Sequence, residues 1–208
     1  MPTITRLEIQ RKRKDRVNVY LDDEYAFSLT LDIASGLRKG EVLDEAAVAA
    51  LRGEDGYRVA LGRALRYLSY RARTRVEIER KLVETGCDAA DIPRVLARLD
   101  ALGLIDDVGL AERWVEQQVD HRPQGARALG YKLRQRGVPD AAIAEATQAV
   151  DEEALALRAA LDRASRYRGL DRAVFERRLG AYLARRGFAS GAVRAAVTAA
   201  WAQQAETE

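Results

Sequence analysis

A single histidine, His121, and a single cysteine, Cys87, bound the side-chain chemistry open to this chain. Alone they cannot furnish the usual His/Cys ligand set of a zinc site. A Cys-His nucleophile pair is formally open. The pattern around each residue speaks against it, because Cys87 follows a helix-ending glycine as a small buried apolar residue and His121 falls in a loop. Asp106-Asp107 offers adjacent carboxylates, but neighbouring residues on a helix point in different directions and the pair sits where a helix should start, so capping explains it. There is neither a Walker-type phosphate loop nor a dinucleotide fingerprint after a strand. These absences exclude the familiar catalytic and cofactor-dependent designs and leave binding.

Binding chemistry is concentrated in clusters of basic residues. Arg11, Lys12, Arg13, Lys14 and Arg16 crowd one short segment. Arg63, Arg66, Arg71, Arg73 and Arg75 alternate with Tyr67 and Tyr70, and Arg122, Arg127, Lys132, Arg134 and Arg136 form a third group. Arginine holds phosphates bidentately and stacks on flat rings. Against this, the chain is dense in charge of both signs, 35 basic and 32 acidic residues for a net of +3, so any one cluster is equally well a solvated face. From 108 to 150 the six basic residues (Arg113, Arg122, Arg127, Lys132, Arg134 and Arg136) are nearly matched by the five acidic ones (Glu112, Glu116, Asp120, Asp140 and Glu145).

The elements that must carry these residues show through a repeat. Ile78-Leu82-Gly86, Leu129-Leu133-Gly137 and Leu179-Leu183-Gly187 share one spacing, with an apolar residue after each glycine (Cys87, Val138, Phe188) and a β-branched one further on (Ile92, Ile143, Val193). A period of about 50 residues defines a helical repeat unit. In the first unit Leu61, Ala64, Leu65 and Leu68 form a stripe. Thr74-Arg75-Val76-Glu77 is a capping box, and Ile92, Val95, Leu96 and Leu99 form a third helix capped at or near Asp91 and ended by Gly103. In the second unit Leu110, Trp114 and Val115 lie inward, His121–Gly125 is a loop, and Ile143–Val150 is the last helix. In the third, Leu157 and Leu161 open, residues 167–170 break, and Phe175, Leu179, Leu183, Val193, Val197 and Trp201 follow. Asp106 or Asp107, and Asp151, should cap the first helix of their units.

Residues 1–30 differ in period. Val17-Val19-Leu21 and Tyr25-Phe27-Leu29 alternate with more polar or smaller neighbours, and Leu7 and Ile9 suggest an earlier strand. Asp22-Asp23-Glu24 should make a tight hairpin and the 11–16 segment a basic one. Short helices at 31–34 and 44–51 follow, then a charged linker from Gly53 to Gly56. The expected fold is mainly α: three tandem three-helix repeats in an elongated curved array, preceded by a small antiparallel β meander with short helices. Expected boundaries are 1–56 for the leader, then 57–107, 108–150 and 151–208 for the repeats.

The stretch from Tyr70 to Leu82, the run from Gly86 to Val115 with Gly103-Leu104-Ile105-Asp106-Asp107 and Trp114-Val115, and Gly125, Leu133, Gly137-Val138 and Ile143 resemble the RecX family of bacterial recombinase regulators. The 17–22 and 36–40 segments are similar to that family's variable leader. The resemblance implies three tandem three-helix repeats, no enzyme activity and no cofactor. It also implies binding in the groove of RecA filaments on DNA, with inhibition of RecA's ATPase, coprotease and strand exchange. On charge and motif position the expected filament contacts are Arg71, Arg73, Arg75, Arg122, Arg127, Lys132, Arg134 and Arg136. Weak single- or double-stranded DNA contact is expected at Arg11, Lys12, Arg13, Lys14 and Arg16. The rival is an independent DNA-binding protein whose tri-helical units read a groove; an enzyme is a distant third. One cysteine, no signal-peptide pattern and no long apolar run suit a cytoplasmic monomer without membrane contact.

Overall fold

The computed structural model describes residues 1–205. The chain divides into two compact units: residues 1–72 with 78–105, and residues 73–77 with the chain from Asp106 onward.

The first unit opens with β1 (Ile4–Ile9), β2 (Arg16–Leu21) and β3 (Glu24–Thr30), an antiparallel meander in the order β1-β2-β3. Asp22 and Asp23, at φ 47° and 69°, make the two-residue turn between β2 and β3. Left-handed conformations at both central positions suit the twist of paired strands, and Asp tolerates them better than most residues. Ile4, Val17, Val19, Phe27 and Leu29 cover one face together with Ala34 of α1 (Leu31–Ala34) and Leu43.

The expected linker at 53–56 is instead the middle of α2 (Glu45–Leu68), one continuous helix of 24 residues capped by Asp44, whose carboxylate accepts from the Ala47 amide at 2.7 Å. Glycine inside a helix costs about 1 kcal/mol each against alanine. Tertiary contacts offset that cost here. Asp55 is buried and accepts both Arg16 Nη1 (2.8 and 3.1 Å) and the Thr30 amide, and Arg16 also donates to Ser28 O at 2.8 Å. A Cβ on Gly56 would come within 2.8 Å of Asp91 Oδ2, so the glycine lets α2 lie close to α4. One apolar expectation is also revised: Leu65 is exposed, and Ala60 joins the expected Ala64 in the tight stripe against α3 (Arg75–Glu84) and α4 (Asp91–Ala101), with Leu61 and Leu68 half-buried beside them. Asp91 is not the cap of α4. It is buried and receives Arg94, while Asp88 accepts from the Ala90 amide one residue before the helix.

The second unit contains α5 (Asp107–His121), α6 (Ala126–Gln135), α7 (Asp140–Gln148), α8 (Glu152–Ala164), α9 (Arg172–Arg185) and α10 (Ser190–Ala205). Helix α5 runs on through His121, so the connection begins at Arg122. Asp106 and Asp151 cap α5 and α8, accepting from the amides of Gly109 and Ala154. In the third repeat Leu157 packs half-buried against the core as expected but Leu161 is exposed, and Ala156, Ala159, Ala160 and Ala164 of α8 face Ala192, Ala196 and Ala200 of α10. Small side chains allow close helix packing, and Phe175 fills the end beside Trp201 at 5.1 Å between ring centres.

The repeat is a geometric fact. Ile78, Leu82, Leu129, Leu133, Leu179 and Leu183 are all fully buried. Gly86, Gly137 and Gly187 take φ of 68°, 78° and 81°, and the next amide bonds back to the Leu carbonyl each time: Cys87 to Leu82, Val138 to Leu133, Phe188 to Leu183. This is the Schellman closure, which requires a left-handed residue at the helix end. Leu133→Ala is therefore expected to cost about 2–5 kcal/mol, since a sealed core cannot collapse onto the cavity. Chemical denaturation checks this, and a near-zero loss would contradict the repeat core.

Candidate binding surfaces

Helix α6 turns Leu129 and Leu133 inward, so Arg127, Tyr131 and Arg134, spaced i, i+4, i+7, share its outer face. Arg122 and Gln124 from the preceding loop, Lys132 and Gln135 of α6, and Arg185 and Arg186 from the end of α9 line the same open groove of about 930 Å³. Tyr131 is 61% exposed, and its hydroxyl is held by Gln135 Nε2 at 2.9 Å. A flat ring presented among guanidinium groups can stack a base while the cations meet phosphate.

Four of the five expected residues in this region therefore come together: Arg122, Arg127, Lys132 and Arg134. Arg134 pairs with Asp140 at 2.6 Å and keeps an exposed side chain. Arg136 is not part of the groove. It is 25% exposed at the side chain, lies 3.6 Å from Glu77, and its carbonyl accepts the Thr74 hydroxyl at 2.7 Å. Arg136 thus fastens the fold and is not a free cation. Charge runs in the sequence do not point to Arg185 or Tyr131; the phase of α6 relative to Leu129 and Leu133 does expose Tyr131.

The same unit shows how successive helices are joined. The capping box forms as expected, with Thr74 N donating to Glu77 and Glu77 N to the Thr74 hydroxyl, each at 3.1 Å. Asp107 accepts from the Arg75 amide, and a Cβ on Gly137 would come within 2.5 Å of Val76 Cβ. At the next joint Glu152 accepts from the amides of Ala126 and Ala189, the Gly125 amide bonds Arg186 O, and Arg186 reaches Pro123 O at 2.7 Å. A Cβ on Gly187 would come within 2.5 Å of Ala128. Each joint uses an acid at the start of a helix to cap another helix, and a left-handed glycine to admit close contact.

The remaining expected residues are dispersed. Arg11, Lys12, Arg13 and Lys14 are exposed in the connection between β1 and β2. Arg13 pairs with Asp15 at 3.2 Å, and that hydrogen bond holds the Asp15 carboxyl below its ordinary value. Arg16 is a correction: it stands on β2 with a side chain only 12% exposed, committed to Asp55, and is not available to nucleic acid. Arg71 is exposed after α2 and belongs to the first unit, whereas Arg73 and Arg75 are half-buried in the second. Cys87 is half-buried, against the expectation of full burial. Its Sγ lies 3.3 Å from Arg63 Nη1 because Arg63 is drawn there by the Thr85 carbonyl. His121 is exposed, and no group of His, Cys, Asp and Glu among the described residues could hold a metal ion. No described helix is long and apolar enough to cross a membrane.

Comparison with known proteins agrees with this architecture segment by segment. The model described as the regulatory protein RecX N-terminal domain matches residues 2–44, and those for the RecX first, second and third three-helix domains match 60–99, 106–146 and 151–197. Regulatory protein RecX of Clostridium acetobutylicum is 37% identical over 145 residues, 69% of this chain and 67% of that protein. The Prosthecochloris aestuarii protein of the same name is 39% identical over 66% of this chain and 90% of its own length. The match spans little more than half, 56%, of the longer Bacillus subtilis regulatory protein RecX. A crystal structure of regulatory protein RecX superposes with a TM-score of 0.77 at 32% identity, covering 94% of this chain and 98% of that one. RecX from Lactobacillus salivarius, at 23% identity and a TM-score of 0.68, shares the fold. The leader and the three three-helix segments find counterparts in order, and the chain belongs to the RecX family of regulatory proteins.

Proposed function

We propose that this chain is a non-enzymatic regulator of the RecA recombinase. It binds RecA filaments on DNA along their groove and slows ATP hydrolysis and strand exchange. Membership of the RecX family along nearly the whole chain carries the reading. The groove of Arg122, Arg127, Lys132, Arg134 and Arg185 around Tyr131 supports a contact with the DNA or an acidic strip of the filament. Repeated units can engage successive identical subunits, so weak individual contacts add to high avidity on a polymer.

Co-sedimentation with the cognate RecA on single-stranded DNA, read together with ATPase rate, tests the proposal. Binding with a slowed ATPase is expected; a protein that neither co-sediments nor changes the rate refutes it. The basic groove also keeps independent DNA binding as a second reading. That reading predicts tight, sequence-selective duplex binding with no effect on RecA.

Direct affinity for free DNA should be weak and indifferent to sequence. With a few phosphate contacts at the groove and at Arg11, Lys12, Arg13 and Lys14, log K should fall by roughly 0.7 per contact per decade of salt on single strands. Fluorescence anisotropy over a salt series measures the slope, and a flat series contradicts phosphate binding.

A further inference from the structure

A second groove in the same unit has the opposite character. One face of α5 presents Glu112, Val115, Glu116 and Val119 at positions i, i+3, i+4 and i+7. With Glu145, Ala146, Ala149 and Val150 from the end of α7, and Asp151, Ala154 and Leu155 at the start of α8, this face encloses a cavity of about 430 Å³. Valine, alanine and leucine make its floor, and four carboxylates stand on its rim.

Among the described residues no ion pair reaches Glu112, Glu116 or Glu145, although this chain has 35 basic residues. Arg113, the basic residue beside Glu112, pairs with Asp106 instead. Arg158 lies at one end but donates to the carbonyl of Val119. Asp151 caps α8. Like charges at i and i+4 on a helix repel. Glu112 and Glu116 therefore repel each other slightly, and a cationic occupant would relieve that repulsion. A metal ion is not that occupant, since no three such side chains among the described residues converge on a point. The rim would also repel nucleic acid.

We propose that this acid-rimmed apolar groove docks a basic, amphipathic helical segment of a partner protein. One or two of the segment's aliphatic or aromatic side chains enter over Val119, Ala146 and Val150, and its Lys or Arg residues meet Glu112, Glu116 and Glu145. Apolar anchoring in a pocket with charged groups at the rim is how helix-in-groove recognition combines affinity with orientation. The inference rests on the reading of this chain as a protein-binding regulator. It adds a protein contact at the acidic groove to the anion-binding contact of the Tyr131 groove.

The test uses a labelled amphipathic peptide of about 16 residues, Leu at helical spacing and Lys elsewhere, against a control with Glu for every Lys. Fluorescence anisotropy with the full chain and no RecA present should show binding of the Lys peptide alone. Two variants locate it. Glu112→Lys with Glu116→Lys puts two cations in place of two of the four rim carboxylates, and Ala149→Arg plugs the groove from an exposed position. Each should weaken the peptide by about tenfold or more while the circular dichroism spectrum is unchanged. Equal binding of both peptides, or undiminished binding by either folded variant, overturns the proposal. So does a concentration-dependent dimer that Ala149→Arg abolishes, because the groove would then serve a second copy. Because the readout needs no RecA, failure of the RecA reading and failure of this groove remain distinguishable.

Discussion

Asp55→Ala should destabilise the first unit by about 3–5 kcal/mol, the loss typical when one partner of a buried ion pair is removed. Asp55 is only 8% exposed. Its two oxygens receive both contacts of Arg16 Nη1, and one also receives the Thr30 amide at the end of β3. Truncation would leave a guanidinium on β2 with a side chain 12% exposed facing no anion, and a backbone donor with no acceptor. The cost is mostly that of stranded groups and not the net worth of the pair. Arg16→Met combined with Asp55→Leu should therefore lose less than Asp55→Ala alone. Urea unfolding of the single and double variants measures both. A single variant within 0.5 kcal/mol of the parent, roughly the scale of an ordinary surface change, would show that α2 and the sheet do not depend on this pair.

The same residue shows where the sequence was opaque. Gly53-Glu54-Asp55-Gly56 has the composition of a linker, and nothing local says that Asp55 has an arginine 39 positions away. A buried long-range pair turned a breaker-rich stretch into the middle of a helix, a tertiary effect that propensity cannot register. Where the determining interaction is local, the sequence was sufficient. The capping box at Thr74, the caps at Asp106 and Asp151, the Schellman glycines and the Asp22-Asp23 turn each depend on residues a few positions apart, and each forms as expected. The third repeat lies between these cases. Its alanines mark close packing, but which of them face inward depends on the approach of α8 to α10.

The basic residues follow the same division. Charge runs alone could not separate Arg127 from Arg136, because one points to solvent and the other closes onto Glu77 through contacts with a segment far away in sequence. Arg185 joined the candidate groove only because α9 ends beside α6. Tyr131, by contrast, was legible: it stands two residues from both Leu129 and Leu133, about 200° around the helix from each, and so must face outward. An aromatic ring placed outward among basic neighbours is the arrangement that distinguishes a binding face from a merely solvated one.

A groove variant should accordingly lose function without losing fold. Arg122→Glu, Lys132→Glu and Arg185→Glu together replace three cations of the groove by anions. They spare Arg136 and Arg186, which fasten the joints to Glu77 and Pro123. Arg122 and Arg185 are exposed and Lys132 is half-buried on the groove wall, and exposed substitutions usually change stability by less than about 0.5 kcal/mol each, so circular dichroism on the triple variant checks that the fold is kept. Losing three phosphate contacts and adding three repulsions should weaken single-stranded DNA at low salt by roughly a hundredfold or more, with the salt slope flattened by about two units. Tyr131→Ala should cost about 1–3 kcal/mol if the ring stacks on a base, and that loss should persist at high salt, where the cationic contribution is screened. The two variants thus separate stacking from charge in one titration. Under the RecA proposal the triple variant should also need a much higher concentration to slow the filament ATPase, whereas Arg136→Glu should act through loss of stability. A folded triple variant that binds DNA and slows RecA as the parent does would remove this groove from the contact surface, and the joint formed by Arg136 would then have no binding face beside it to support.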